Sequence, residues 1–343
     1  MRSGRLVLKS MSRLISAFFC SFLVLFIFVS CASVHPRGTL AGATVVGKES
    51  DVFVFVPIGH NRTLLSRVLP QSKYIEKVLD RTNYLYASIK VKNKKPLLFD
   101  DVEETEEGVN TSSVSSSDAT STDSSVGGEG QDIFSLLSYD VCAVGKYPKS
   151  IAGFIFNKSN GWQKQKSISG YKYYKKFDRV DARGVPAFSF CAIPDSNLAL
   201  FSYNEANECK MENLLERVDS PHPVRFDPEF ELSIQQGENA KDICVYVANP
   251  QFFLASLLAL DIDLPIDNLK VYLTRNTEKA KEFYNYKIIL QMRNITAGFA
   301  TRLLLSKLLK TQVRIEDNNI IVEKARVSVD RLVQIINKLL NRE

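Results

Sequence analysis

Between Lys158 and Arg179 the chain interleaves cations with aromatic rings. Lys158, Lys164, Lys166, Lys172, Lys175, Lys176 and Arg179 carry positive charge, with Asp178 the one acid among them. Trp162, Tyr171, Tyr173 and Tyr174 lie between these charges. Cations beside π faces suit an anionic surface: lipid headgroups, a glycan polymer or an acidic protein. Lys158, Trp162, Lys164, Lys166, Tyr171, Lys172, Tyr174, Lys175 and Lys176 form the candidate patch for such a partner. A second reading stands beside it, in which "YKYYKKF" is a strand with an aromatic core face and a solvated lysine face. Nucleic acid would bind by the same physics, but none is expected for an exported chain.

Catalytic signals are weaker. The three histidines, His35, His60 and His222, have no helical metal-pair spacing. Asp261, Asp263 and Asp267 in "LDIDLPID" are close together, yet Leu264-Pro265-Ile266 interrupts the alternation that a Ca²⁺ loop requires. There is no G-x-S-x-G elbow, phosphate loop or dinucleotide fingerprint. The sequence therefore points to no catalytic residue, cofactor or metal, and the chain reads as a non-enzyme. Cys142, Cys191 and Cys244 sit in apolar, strand-like runs and read as buried thiols. With Cys209 they form no C-x-x-C, and three disulfide pairings stay open.

The elements that must position these residues show fixed-order self-similarity. "DVFVFV" (Asp51 to Val56) matches "DICVYV" (Asp242 to Val247). "KSIAGF" (from Lys149) matches "NITAGF" (from Asn294), and "IPDSNLALFS" (from Ile193) matches "IEDNNIIVEK" (from Ile315). The offset falls from 191 to 145 to 122 while the order is kept, so copy one holds two insertions. One is mostly residues 100–132, with ten acids, no Lys or Arg, and little that is apolar. That composition reads as a disordered, solvated linker. An alternative is that it docks on the basic body and screens it. The other insertion is the basic-aromatic stretch 158–183.

The fold class is α+β: two diverged tandem copies of a β-α-β-β-α-β-β-α unit. Its first six elements follow ferredoxin-like order. The copies either stand apart or share one mostly antiparallel sheet. Copy one is expected over 51–218, a linker over 219–241 and copy two over 242–343. Asp317-Asn318-Asn319 is a hairpin turn, Ser328 a helix cap, and the run from Val329 to Leu340 has one apolar face.

The amino terminus carries an address. Arg2, Arg5, Lys9 and Arg13 precede a sixteen-residue apolar run, Leu14 to Val29, interrupted only by Ser16 and Ser21. A spanning helix needs roughly 20 apolar residues, whereas a signal-peptide core needs only about 7–15. Phe28-Val29-Ser30-Cys31 at the exit of the run resembles the relaxed lipobox of spirochaete-like bacterial lipoproteins. That resemblance covers residues 1–31 alone. It implies removal of residues 1–30, an acyl chain such as palmitate on Cys31, and a tether over 31–50. Ordinary cleavage after Ala32 and an uncleaved anchor are the competing readings.

Without residues 1–30, 40 of the 44 Lys and Arg remain against 38 acids, so the strong positive balance belongs partly to the signal. The function expected is a lipid-anchored protein of the bacterial envelope, facing the periplasm or the outside. Its role would be binding or structural. A lipid carrier with "FATRLLLSKLL" (Phe299 to Leu309) lining a cavity is one alternative. An envelope hydrolase with a dispersed active site is the other.

Overall fold

The computed structural model describes residues 40–47, 50–68, 79–91, 137–148, 152, 156–180, 185–205, 210–221, 226–235, 241–248, 250–251, 265–278, 281–309 and 311–339. The expected signal segment, Cys31, the acidic stretch 100–132 and Asp261 and Asp263 lie outside the described residues.

Among the described residues, twelve strands form one sheet. They are β1 (Val52–Pro57), β2 (Thr82–Val91), β3 (Leu137–Gly145), β4 (Trp162–Lys166), β5 (Lys172–Val180), β6 (Pro186–Asp195), β7 (Leu198–Glu205), β8 (Ile243–Val247), β9 (Ile266–Glu278), β10 (Lys281–Met292), β11 (Val313–Glu316) and β12 (Asn319–Ser328). The helices are α1 (Leu40–Val46), α2 (Ile58–Val68), α3 (Lys210–Asp219), α4 (Pro228–Gln235), α5 (Ile295–Leu309) and α6 (Val329–Leu339). The spatial order is β11-β12-β10-β9-β8-β1-β2-β3-β7-β6-β5-β4. Every pairing is antiparallel.

The chain is thus α+β with one shared antiparallel sheet. The strand pairing does not follow the ferredoxin-like pattern. In that pattern the two βαβ units interleave, whereas here β1, β2 and β3 are successive neighbours, as are β8, β9 and β10. The physical reason lies in the connections. Antiparallel neighbours need only a return of the chain, and each helix is laid over a face after its strand instead of carrying a crossover.

β1 alternates β-branched and aromatic residues, which fit a pleat buried on both sides. Phe53 and Phe55 point to one face with Tyr86, Cys142, Leu200 and Cys244. Val54 and Val56 point to the other with Phe201 and Cys191. On the first face lie α1, α3 and α4, which bring Val45, Leu214, Leu215 and Phe230, with Phe226 just ahead of α4. On the second lie α2, α5 and α6, which bring Leu64, Leu305, Val329 and Leu332.

Two of these helices stand where the sequence suggests connection alone. The expected tether over 31–50 contains α1, whose Ala43, Val45 and Val46 are buried. A Cβ on Gly42 would fall 2.1 Å from the Tyr86 ring, so glycine lets the helix backbone rest on that aromatic plane. Gly47 then stops the helix in the left-handed region at φ 76°, with its N–H donated to the Ala43 carbonyl. The expected linker over 219–241 contains α4. Asp227 caps it by accepting from the Phe230 N–H, Pro228 occupies the first helical position, and Glu231 accepts from the Phe226 N–H.

Turn and cap expectations are met in atomic detail. Asp195 Oδ1 accepts from the Asn197 N–H in the β6–β7 turn. Asp317 adopts φ 52° in the β11–β12 turn, which the short side chain of aspartate tolerates. Ser328 Oγ accepts from the Arg331 N–H at the start of α6.

Candidate functional site: a basic edge hairpin and an apolar helix face

The basic-aromatic residues build the outermost hairpin of the sheet, β4–β5. The register places Trp162 opposite Lys176, Lys164 opposite Tyr174, and Lys166 opposite Lys172. Directly opposed residues share a face, so Lys164, Lys166, Lys172 and Lys176 rise with Trp162 and Tyr174 from one side of the hairpin. Tyr174 pairs with Cys191 and Lys176 with Ser189, which identifies this side as the α2, α5 and α6 face.

The aromatic members of the candidate patch do not face a partner. Trp162 is buried, with its ring edge-on to Phe156 at 4.6 Å. Tyr174 is buried against the same phenylalanine at 4.9 Å, and burial raises its phenol pKa. Tyr171 hydrogen-bonds Asp219 at the end of α3. The lysines divide. Lys158, Lys164, Lys166 and Lys172 are exposed. Lys176 lies 5.9 Å over the Trp162 ring, while Lys175 turns to the other face, 3.9 Å over Phe188. The sequence patch thus resolves into an aromatic floor and a lysine surface.

Behind Lys176 the polarity changes. Ser189 donates to the Asp178 carboxylate, and Arg179 Nε donates to the Tyr203 hydroxyl at 3.2 Å. Burial raises the Asp178 pKa, against the opposing pull of Ser189, Lys176 and Arg179. This half-buried cluster ties β5, β6 and β7 together.

The tip of the hairpin is a feature the sequence reading passed over. Ser167 accepts from the Gly170 N–H and donates its own N–H to the Tyr171 carbonyl. Its hydroxyl accepts from the Tyr171 N–H at 2.9 Å, and Gly170 sits at φ 89°. This closed turn holds Ile168 99% exposed, with its N–H donated to Glu212 of α3. A lone isoleucine between serines carries no signal in sequence; only the turn geometry shows where it points.

A second exposed apolar feature lies at the opposite edge of the sheet. In α5, Leu305 packs against the β10–β12 core. Ile295, Phe299 and Leu303, spaced by four residues, are 48%, 54% and 65% exposed and form one stripe. Arg302 and Lys307 are exposed on the same helix. Phe299 and Leu303 therefore face outward instead of lining an internal cavity, because Leu305 and the buried Gly298 and Thr301 take the sheet side.

His60 is exposed on α2, and its carbonyl accepts from Arg275. Asp267 pairs with Arg293. Among the described residues, no group of three or more metal-binding side chains converges. Cys142, Cys191 and Cys244 are buried and form no disulfide among the described residues.

With this geometry in hand, the comparisons with known proteins decide the family. The family model described as "Outer membrane-associated lipoprotein TP0453" matches residues 37–99 and 134–333, most of the chain. The chain belongs to this family. The two matched stretches of the TP0453 family leave out residues 100–133, which hold the acidic segment. A relative, the outer membrane protein TP0453 of Treponema pallidum (strain Nichols), is 23% identical over 303 residues, covering 87% of this chain and 86% of that protein. Crystal form III of TP0453 matches with a TM-score of 0.61 and 21% identity over 90% of this chain and 100% of that one. Crystal form I matches with a TM-score of 0.59 and 23% identity over 90% and 98%. At these identities the solved structures speak for the fold.

Proposed function

We propose that this chain is a non-catalytic lipoprotein of the bacterial envelope, anchored by an acyl chain at Cys31, that rests α5 on a lipid surface. Membership of the outer membrane-associated lipoprotein family supports the location. The lipobox-like Phe28-Val29-Ser30-Cys31 supports removal of residues 1–30 and the anchor. The observation that carries the surface contact is the stripe Ile295, Phe299 and Leu303, left in water on a helix whose other side is already satisfied by the sheet. An interfacial helix with an apolar face and neighbouring cations lies in the headgroup boundary in this manner. The relatives are named as outer membrane proteins and lipoproteins, not as enzymes, which fits a binding or structural role.

We also infer an internal duplication. Its support is the placement of the matched segments: "DVFVFV" is β1, "DICVYV" is β8, and the two meet antiparallel at the centre of the sheet. "IPDSNLALFS" and "IEDNNIIVEK" form the β6–β7 and β11–β12 turns on the two sides of that centre.

Two arms test the function. Metabolic fatty-acid labelling should mark the wild type and leave Cys31→Ala unlabelled; label retained by the variant overturns the anchor. The chain from residue 31, which contains every described element, should bind phosphatidylcholine vesicles when it carries Cys31→Ala. Adding Ile295→Ser, Phe299→Ser and Leu303→Ser should lower that binding at least about tenfold, because each large apolar side chain contributes about 1.5–3 kcal/mol on burial. Unchanged binding overturns the α5 contact.

A further inference from the structure

We propose that the β4–β5 hairpin is a contact for anionic lipid: Ile168 enters the interface while Lys164, Lys166 and Lys172 hold headgroup phosphates. This rests on the membrane-surface reading above and names the lipid class that the surface selects.

Three observations carry it. The first is the sign of the charge. Lys164, Lys166 and Lys172 stand on one face within two facing pairs, and no acid shares these positions. None of the three makes an ion pair among the described residues. Edge strands use lysine to discourage strand pairing. That role accounts for charge on β4, but not for an apolar residue at the tip of the same hairpin.

The second observation is that tip. Ile168 is held 99% exposed by a turn closed with backbone and serine hydrogen bonds, and the turn is tied to α3 through Glu212. A large apolar side chain presented on a rigid loop beside cations matches the two demands of a membrane interface. Apolar area enters the acyl boundary, and positive charge meets anionic headgroups.

The third is continuity. The lysines rise from the same face of the sheet that carries α5. Phe201, Val54, Val245 and Ile288 run across that face from the hairpin side to the α5 side. The lysine side of the hairpin and α5 therefore share one face, at its two outer edges, while the tip is tied to α3.

The test uses the chain from residue 31 with Cys31→Ala and two vesicle types. One is phosphatidylcholine alone; the other contains phosphatidylglycerol as well. Lys164→Gln, Lys166→Gln and Lys172→Gln together should weaken binding to the anionic vesicles by about fivefold per lysine and leave neutral vesicles unaffected. Ile168→Ser should lower binding to anionic vesicles by about tenfold. The wild-type preference for anionic vesicles should fade as salt shortens the screening length. All four side chains are exposed, so the thermal midpoint should not move, and it serves as the folding control.

If the lysine variant keeps the wild-type preference for phosphatidylglycerol, the hairpin proposal is overturned. If it loses that preference while the α5 variant binds neutral vesicles normally, the hairpin contact stands and the α5 reading falls. If the hairpin variants behave as wild type and the α5 variant fails on both vesicle types, the α5 reading stands alone.

Discussion

Asp178 is a carboxylate in the wrong medium. It lies where β5, β6 and β7 meet, and burial raises its pKa more than Ser189, Lys176 and Arg179 lower it. An acid whose folded pKa exceeds its unfolded value binds more protons when folded. Its contribution to stability is therefore largest at low pH and falls as pH rises from about 4 through the folded pKa. Asp178→Asn keeps an acceptor for the Ser189 hydroxyl and removes the charge. The variant should lose this part of the pH dependence and be at least as stable as wild type at neutral pH. Urea unfolding at a series of pH values checks it; an unchanged slope between acidic and neutral pH refutes the assignment. The buried thiols obey the same logic of desolvation. Burial, then Asp242, pushes the Cys244 thiol up to about 12, and Cys191 is raised well above its ordinary range by burial and then Asp178. The thiolate is the reactive form, so neither sulfur is poised for chemistry.

At the level of elements, what could be read from sequence was what local pattern determines. β1 and β8 announce themselves by alternating aromatic and branched residues. The β6–β7 turn announces itself by Pro194-Asp195-Ser196-Asn197, and α6 by Ser328 followed by a regular apolar face. Three elements were hidden because distant partners create them. β4, "WQKQK", has one apolar residue and becomes a strand only because β5 offers it a ladder. α1, "LAGATVV", is small and mild, and is helical where Tyr86 and α3 give its buried side a seat. α4, flanked by turn-forming residues, is secured by Phe226 and Phe230 against Phe53, Tyr246 and Tyr272. Lys270 also reaches Asp227 at 3.1 Å from the strand beneath. The candidate site divides in the same way. Its charges were legible, and so was an aromatic core face in "YKYYKKF", where Tyr173 and Tyr174 are buried, but the burial of Trp162 and the exposure of Ile168 depend on the third dimension. The seat of α1 can be tested directly. Gly42→Leu places a side chain into a ring that is fully buried and cannot yield. It should cost about 1–3 kcal/mol, read as a lowered urea midpoint; a midpoint equal to wild type would mean that α1 leaves the sheet freely.

For the whole molecule, the decisive feature is where the sheet is joined. Among the described residues, the strands within 51–205 make one run of neighbours and those within 242–328 the other, and only β1 and β8 connect them within the sheet. The join runs from Val52 opposite Val247 to Phe55 opposite Cys244. Contacts on the α2 face reinforce it: Asn61 of α2 accepts from the Tyr284 hydroxyl and donates to the Lys241 carbonyl, and Arg275 donates to the His60 carbonyl. Within each run most pairings link strands near in sequence and can form early, whereas the join closes a loop of almost two hundred residues and comes late. Until it closes, two apolar strand edges of nearly the same sequence are open. An antiparallel edge of that kind does not distinguish β8 of its own chain from β1 of another, since "VFVFV" and "ICVYV" offer the same sequence of branched and aromatic side chains. Crowding during refolding should therefore yield exchanged dimers in proportion to protein concentration, visible by size-exclusion chromatography, while dilute refolding should give monomer. The chain thus has an interval of promiscuity in its middle, and the likeness of its two central strands sets the hazard.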